Sequence, residues 1–224
     1  MATKNKGKMI DLLGFAIFPV LGIIYGWLNL RNSEAIELST PIDSYIPFLT
    51  VFIIPYIAWY AYLFLAIFFF WFMDRIVYWK TLLMIAVGEV ICFTIYYFYQ
   101  TTVPRPELQG NSIFTTLTAL IFRNDEPVNC FPSIHVLTTS IVMLAFLQIK
   151  QTNFFQKSLI HIIGAIIIMS TLFVKQHVVY DLLGSVLLTF ILNVLFFKVQ
   201  WSFARGLNKK RAKKLQQSGV TMKL

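Results

Sequence analysis

Long apolar runs separated by short polar breaks dominate the chain. They lie at Met9 to about Leu30, Ile46 to Phe72, Thr81 to Tyr99, Phe131 to just before Lys150, Ser158 to Val174 and Val179 to Val199. Each is continuous rather than alternating with period two, which selects helices over a barrel of strands. Most approach the ~20 residues a helix needs to cross ~30 Å of hydrocarbon. The pattern predicts an all-α integral membrane protein, a six-transmembrane-helix bundle forming one domain over residues 1–224. Pro55 is read as a kink in the second span. Asp74, Arg75 and Lys80 read as a short polar turn, flanked by Trp71, Tyr78 and Trp79 at headgroup depth. A cleaved signal peptide is the rival reading of the first run. Its length, its Pro19, Tyr25 and Trp27, and the lack of a small-x-small cleavage site argue against that.

Gln100 to Asn129 is the longest polar connection, broken by Pro104, Pro106, Gly110 and Pro127. Within it Ile113, Phe114, Leu117, Leu120 and Ile121 recur with helical period. This is an amphipathic helix too short to span, expected in the membrane interface, where it covers a lipid entrance or anchors the loop.

Composition supports the membrane assignment: 58% of the 224 residues are hydrophobic and 13% charged. The net charge of +9 suggests nucleic acid until its distribution is considered. Lys4, Lys6, Lys8, Arg75, Lys80, Lys150, Lys157, Lys198 and the tail cations from Arg205 onward fall on one side of a six-span topology. Arg31, Arg105, Arg123 and Lys175 fall on the other. The positive-inside rule then predicts a plasma-membrane protein of bacterial type, with the 1–8 segment and the basic 201–224 tail cytosolic and no nucleic-acid partner. Cys92 and Cys130 have no spacing that reads as a metal knuckle or a disulfide framework.

Two polar clusters carry candidate chemistry, Phe131-Pro132-Ser133-Ile134-His135 and Lys175-Gln176-His177-Val178-Val179-Tyr180-Asp181. His177 and Asp181, four apart, share one face of a helix, so the carboxylate can fix the imidazole tautomer. On that reading His177 is the nucleophile and Asp181 orients it. His135 is the general acid, with activity falling as pH rises past its titration. Arg105, Lys175 and Ser133, the last at a helix start, are expected to bind phosphate. The topology brings all of them to the extracytoplasmic rim. Glu89 lies near mid-membrane depth, as a functional acid or a protonated packing residue in equal measure. His161 reads as a helix-packing residue.

These residues resemble the type 2 phosphatidic acid phosphatase superfamily. Arg105-Pro106 is similar to the end of its first motif, Pro132-Ser133 with His135 to its second, and His177 with Asp181 to its third. The chain departs from that pattern at Ile134, where the family has Gly, and at Phe98 and Thr171, where it has Lys and Arg. The Phe-Pro-Ser-x-His and Lys-Gln-His-x-x-x-Asp forms look more similar to the branch that includes inositol phosphorylceramide synthase. The resemblance implies a lipid phosphatase or phosphotransferase acting through a phosphohistidine, without metal or other cofactor, on a lipid substrate in the membrane. Water as acceptor gives hydrolysis and a hydroxyl gives transfer. Two rivals stand beside it: a metal site of His135, His177 and Asp181, and a lipid carrier or flippase without chemistry.

Overall fold

The computed structural model describes residues 7–31 and 34–199, so Lys4, Lys6 and the 201–224 tail lie outside the described residues. A 3-10 helix over Met9–Ala16 runs into α1 (Ile17–Asn29), making one apolar rod of 21 residues. After a two-residue strand β1 (Ile36–Glu37) and a short helix α2 (Pro41–Tyr45), α3 (Ile53–Met73) and α4 (Arg75–Phe98) form an antiparallel pair. The strand β2 (Thr101–Thr102) pairs in parallel with β1. α5 (Ile113–Asn124), α6 (Ile134–Leu147), α7 (Phe154–Phe173) and α8 (Val179–Asn193) follow.

The expected polar turn at Asp74 to Lys80 is almost wholly helix. Asp74 caps α4, its carboxylate accepting from the N–H groups of Ile76 (2.9 Å) and Val77 (3.3 Å), so the chain reverses over a single residue. Pro55 is no kink either. It lies in the first turn of α3, where a missing N–H costs nothing.

Among the described residues five helical segments are long and apolar enough to cross a membrane, and the chain is an integral membrane protein. The expected fourth span is the exception. α6 has 14 residues, about 21 Å at ~1.5 Å per residue. It is central instead: Val136, Leu137, Ile141, Val142 and Ala145 are fully enclosed, packed among α3, α4, α7 and α8. Outward-facing Leu65, Leu183 and Leu187 are exposed on the surrounding helices, as lipid-facing positions require.

Polar contacts gather at the two ends of the bundle. At one, Asp11 is buried and takes a two-pronged bond from Arg75 (Nε–Oδ2 2.6 Å, Nη2–Oδ1 2.7 Å) while Trp79 donates at 3.2 Å. At the other, Leu49 N–H bonds the Phe173 carbonyl at 2.9 Å and Tyr25 donates to Asp125 at 2.7 Å. α5 belongs to this second end. Phe114, Leu117 and Ile121 turn inward onto Ile53, Tyr56 and Val174, leaving Ile113 and Leu120 exposed. Half of the face expected in the interface is therefore spent on anchoring α5 to the bundle.

Candidate active site

The turn between α7 and α8 is built backbone first. Lys175 adopts a left-handed conformation (φ 55°), a position glycine usually takes after a helix. Its N–H bonds the Leu172 carbonyl at 3.2 Å, and the N–H groups of Gln176 (3.0 Å) and His177 (3.2 Å) converge on the Thr171 carbonyl. The last turn of α7 thus fixes both residues. The expected helical stacking of His177 and Asp181 takes a different form, since α8 begins only at Val179. Asp181 is in the first turn and reaches back: Oδ2 accepts from Val178 N–H (2.9 Å) and from His177 Nδ1 (3.2 Å). A second carboxylate, Asp43, caps the same helix by accepting from Val179 N–H at 2.8 Å, where the positive helix end favours it.

Lys175 does not face this site as a free cation. Its Nζ donates to the carbonyls of Asp43 (2.8 Å) and Ile46 (2.6 Å), bracing the α7–α8 turn on the loop after α2. Burial lowers its pKa, and the nearby Asp43 carboxylate partly opposes this. Two of the three ammonium donors are thus spent on carbonyls that brace the turn. Ser133 likewise is fully buried as the cap of α6, its hydroxyl accepting from Val136 N–H at 3.3 Å.

His135, in the first turn of α6, is held by aromatic rings. Its imidazole lies 4.6 Å from the Tyr56 ring and 4.1 Å from that of Trp59, centroid to centroid, and 6.1 Å from the ring of His177. Trp59 is itself fixed by donating to Thr138 Oγ1 at 2.9 Å. His135 Nε2 is enclosed without a partner. The segment entering α6 is tied down by Thr101, whose hydroxyl accepts from Cys130 N–H (3.1 Å) and Phe131 N–H (2.8 Å), and by Tyr96, which donates to the Pro132 carbonyl.

Arg105 arrives from the connection before α5. It donates to the Phe122 carbonyl (3.1 Å) and to Gln176 Oε1 (2.7 Å), with its guanidinium over the Phe122 ring. It therefore touches the site through Gln176. Burial lowers its pKa while Asp125 works against that. Asp125, absent from the sequence-based candidates, follows α5 and accepts from Tyr25 (2.7 Å) and Asn29 (3.3 Å) of α1. Burial raises its pKa, opposed by the Tyr25 bond and the charge of Arg105. Asn129 was also missed; its Oδ1 accepts from Gln100 at 3.0 Å. No periodic pattern marks these loop residues, and the one available signal was their place in the segment leading into Cys130 and the Phe131 to His135 cluster.

A cavity of about 720 Å³ joins these groups. Its polar end is lined by Asp125, Glu126, Asn129, His135, Gln176 and His177, and its apolar end runs between α1 and α3 past Phe18, Gly22, Leu63 and Phe64 to Glu89 of α4. The chemistry available is that of one imidazole oriented by a carboxylate, a second imidazole facing it, and a channel into the apolar layer. Among the described residues one cluster has metal-ligand spacing, Cys130, His177 and Asp181, with ligand atoms within 4.8 Å. It does not include His135, and burial raises the Cys130 thiol pKa and disfavours the thiolate that a metal needs. His161 bonds the Lys157 carbonyl of its own helix at 2.7 Å, as a packing residue does.

Where the resembled motifs would place a lysine and an arginine, Phe98 is 79% exposed and the Thr171 hydroxyl bonds the Ile168 carbonyl at 2.8 Å. The family model described as PAP2 superfamily matches residues 77–205, more than half of the chain. No curated protein and no solved structure matches significantly.

Proposed function

The chain belongs to the PAP2 superfamily, and on that premise we propose that it is a metal-independent lipid phosphatase or phosphotransferase working through a phosphohistidine on His177. One observation carries the reading: His177 Nδ1 is 3.2 Å from Asp181 Oδ2, while the His177 and His135 side chains line one cavity. In the first step a His177 Nε2–P bond forms and the bond from phosphorus to the leaving oxygen breaks. That oxygen takes a proton from His135, which enters the step as the imidazolium and leaves it neutral. In the second step water or a lipid hydroxyl gives its proton back to His135 and attacks phosphorus, breaking the N–P bond. Asp181 stabilises the tautomer and the positive charge on His177, as a carboxylate behind a catalytic imidazole does. The apolar end of the cavity takes the lipid chain.

α6 completes a six-helix arrangement as a short, centrally packed member. Both termini then lie on the cytosolic side and the site opens toward the extracytoplasmic face, with α5 at its rim. The inositol phosphorylceramide synthase-like branch remains the favoured relative, on its Phe-Pro-Ser-x-His sequence.

The test is to incubate purified protein with a panel of phospholipids and isoprenyl phosphates, with and without alcohols, in chelator. Free phosphate or a new lipid should appear, and an acid-labile, base-stable phosphoryl group should be trapped on the wild-type protein. His177→Ala should lose about 10³-fold or more of the turnover. Retention of turnover by that variant would refute the mechanism, and loss of wild-type turnover to chelator would favour the Cys130, His177 and Asp181 metal cluster.

A further inference from the structure

Resting on the lipid-phosphate reading, we propose that Glu89 reads the lipid tail. Its carboxyl takes a hydrogen bond from a hydroxyl carried on the acyl chain about 10 Å from phosphorus, so the site prefers hydroxylated chains to plain ones.

The first support is where the side chain points. A methyl group on Gly88 would meet Leu137 of α6 at 2.9 Å and Leu192 of α8 at 3.1 Å. One residue on, about 100° round the helix, Glu89 faces the cavity between α1 and α3 instead. The Met9–Asn29 rod runs alongside α4 in the same direction: Gly14 lies against Leu82, and Trp27 stacks on Tyr97 with ring centroids 6.2 Å apart. Phe18, Leu21 and Gly22 are therefore level with Glu89, and all three line the cavity with it.

The second support is an unmet bond. Glu89 is 7% exposed, and among the described residues none donates a hydrogen bond to its carboxyl. Unlike the sealed amide nitrogens of Asn129 and Gln176, its oxygens keep surface open to the cavity. A carboxyl at this depth is costly without a partner. Water is a poor one, since a buried water needs about three polar contacts and the wall opposite is phenyl, leucyl and glycyl. A plain hydrocarbon tail leaves the oxygens unpaired. A chain hydroxyl pairs them, and a carboxyl can accept from it in either protonation state.

The third support is depth. Tyr96 donates to the Pro132 carbonyl at the entry to α6, and Glu89 precedes Tyr96 by two helical turns, about 10 Å at ~5.4 Å per turn. An extended chain covers ~1.2 Å per bond, so the 3-hydroxyl of an ester-linked acyl chain, about eight bonds from phosphorus, reaches that depth when phosphorus sits between His135 and His177.

The experiment is calorimetric titration of the full-length protein in detergent, in a His177→Ala background so that no turnover intervenes. The probes are dihexanoyl phosphatidic acid and its bis(3-hydroxyhexanoyl) counterpart, which share one headgroup. The hydroxylated probe should bind about tenfold tighter, because a site built to bond a hydroxyl disfavours the analogue lacking it. Adding Glu89→Leu should bring the ratio to about one with Tm no lower than before, since it removes an unpartnered buried polar group. Glu89→Gln, whose amide oxygen still accepts, should keep the ratio within about twofold. A packing role for Glu89 predicts the opposite pattern, a lower Tm in Glu89→Leu with the ratio unmoved. That pattern, or equal binding of the two probes before Glu89 is changed, overturns the proposal and leaves the His177 chemistry intact. If neither probe binds, the lipid-phosphate reading fails together with it.

Discussion

His177 and His135 are one side-chain type in two settings, and the settings divide the labour. His177 has a carboxylate on Nδ1; His135 has Tyr56 and Trp59 against its ring. On the proposed mechanism, charge forming on His177 is therefore stabilised where it forms, whereas His135 is positioned by aromatic packing. Asp125 adds a pH lever. Its pKa is raised, first by burial, so the protonated form is favoured in the fold. Both its stabilising contribution and its tolerance of an anion are lost as pH rises through that raised value. Phosphodiester affinity, measured with a probe whose own charge is constant, should fall as pH rises above the ordinary carboxylate range. Arg105, Glu126, His177 and Tyr25 face Asp125, and comparison with Asp125→Asn isolates its share; an identical slope in that variant would show that Asp125 is not its origin. Lys175 makes a contrasting case. Lys175→Ala removes two bonds from the ammonium to carbonyls, so it should lower stability by about 1–3 kcal/mol in chemical denaturation. Lipid-phosphate affinity should stay within about twofold, whereas a phosphate ligand of its type would cost about tenfold or more.

At the scale of elements, the long helices were legible because a continuous apolar run has few alternatives in a membrane. Their ends were less so. Asp74 read as part of a turn because a capping carboxylate and a loop carboxylate look alike in sequence, and Pro55 read as a kink because its distance from the helix start was unknown. The His177–Asp181 contact was legible from spacing, although it forms by the first turn of α8 reaching back, because i and i+4 are close in both geometries. Asp125, Asn129 and the Asp43 cap were not legible, since loops bring them in from distant segments with no periodicity to announce it. One packing detail gives a test of how α8 holds the entry to α6. A methyl group on Gly184 would come within 2.4 Å of Phe131 Cε2 and 2.7 Å of its Cζ. Gly184→Ala should push Phe131, three residues before Ile134, and misplace His135 at its mooring. Overpacking of this kind costs about 1–3 kcal/mol. We expect turnover to drop about tenfold with helix content by circular dichroism unchanged, and normal turnover would show that Phe131 yields without moving the imidazole.

For the whole molecule, the two ends of the bundle do different work. Asp11, Arg75 and Trp79 lock one end with an ion pair in which Asp11 is buried and Arg75 half-exposed. The other end concentrates helix caps, both candidate imidazoles and the polar part of a cavity that continues down between α1 and α3. α1 contributes little to the buried core, with Leu21, Leu28 and Asn29 as its buried residues, yet it forms one wall of the cavity and holds Asp125 through Tyr25 and Asn29. On the proposed function the first helix thus links the lipid chain to the polar site rather than supporting the fold. Gly22 gives access to that link. It lines the cavity, and a Cβ there would meet nothing within 4 Å. Gly22→Ala should be silent in stability and turnover. Gly22→Trp should fill the channel and leave the His177 end untouched, so turnover of long-chain substrates should fall about tenfold or more while that of dihexanoyl substrates changes within about twofold. Equal losses on both chain lengths would mean that the apolar half of the cavity does not house the lipid chain, and that substrate reaches His177 by another path.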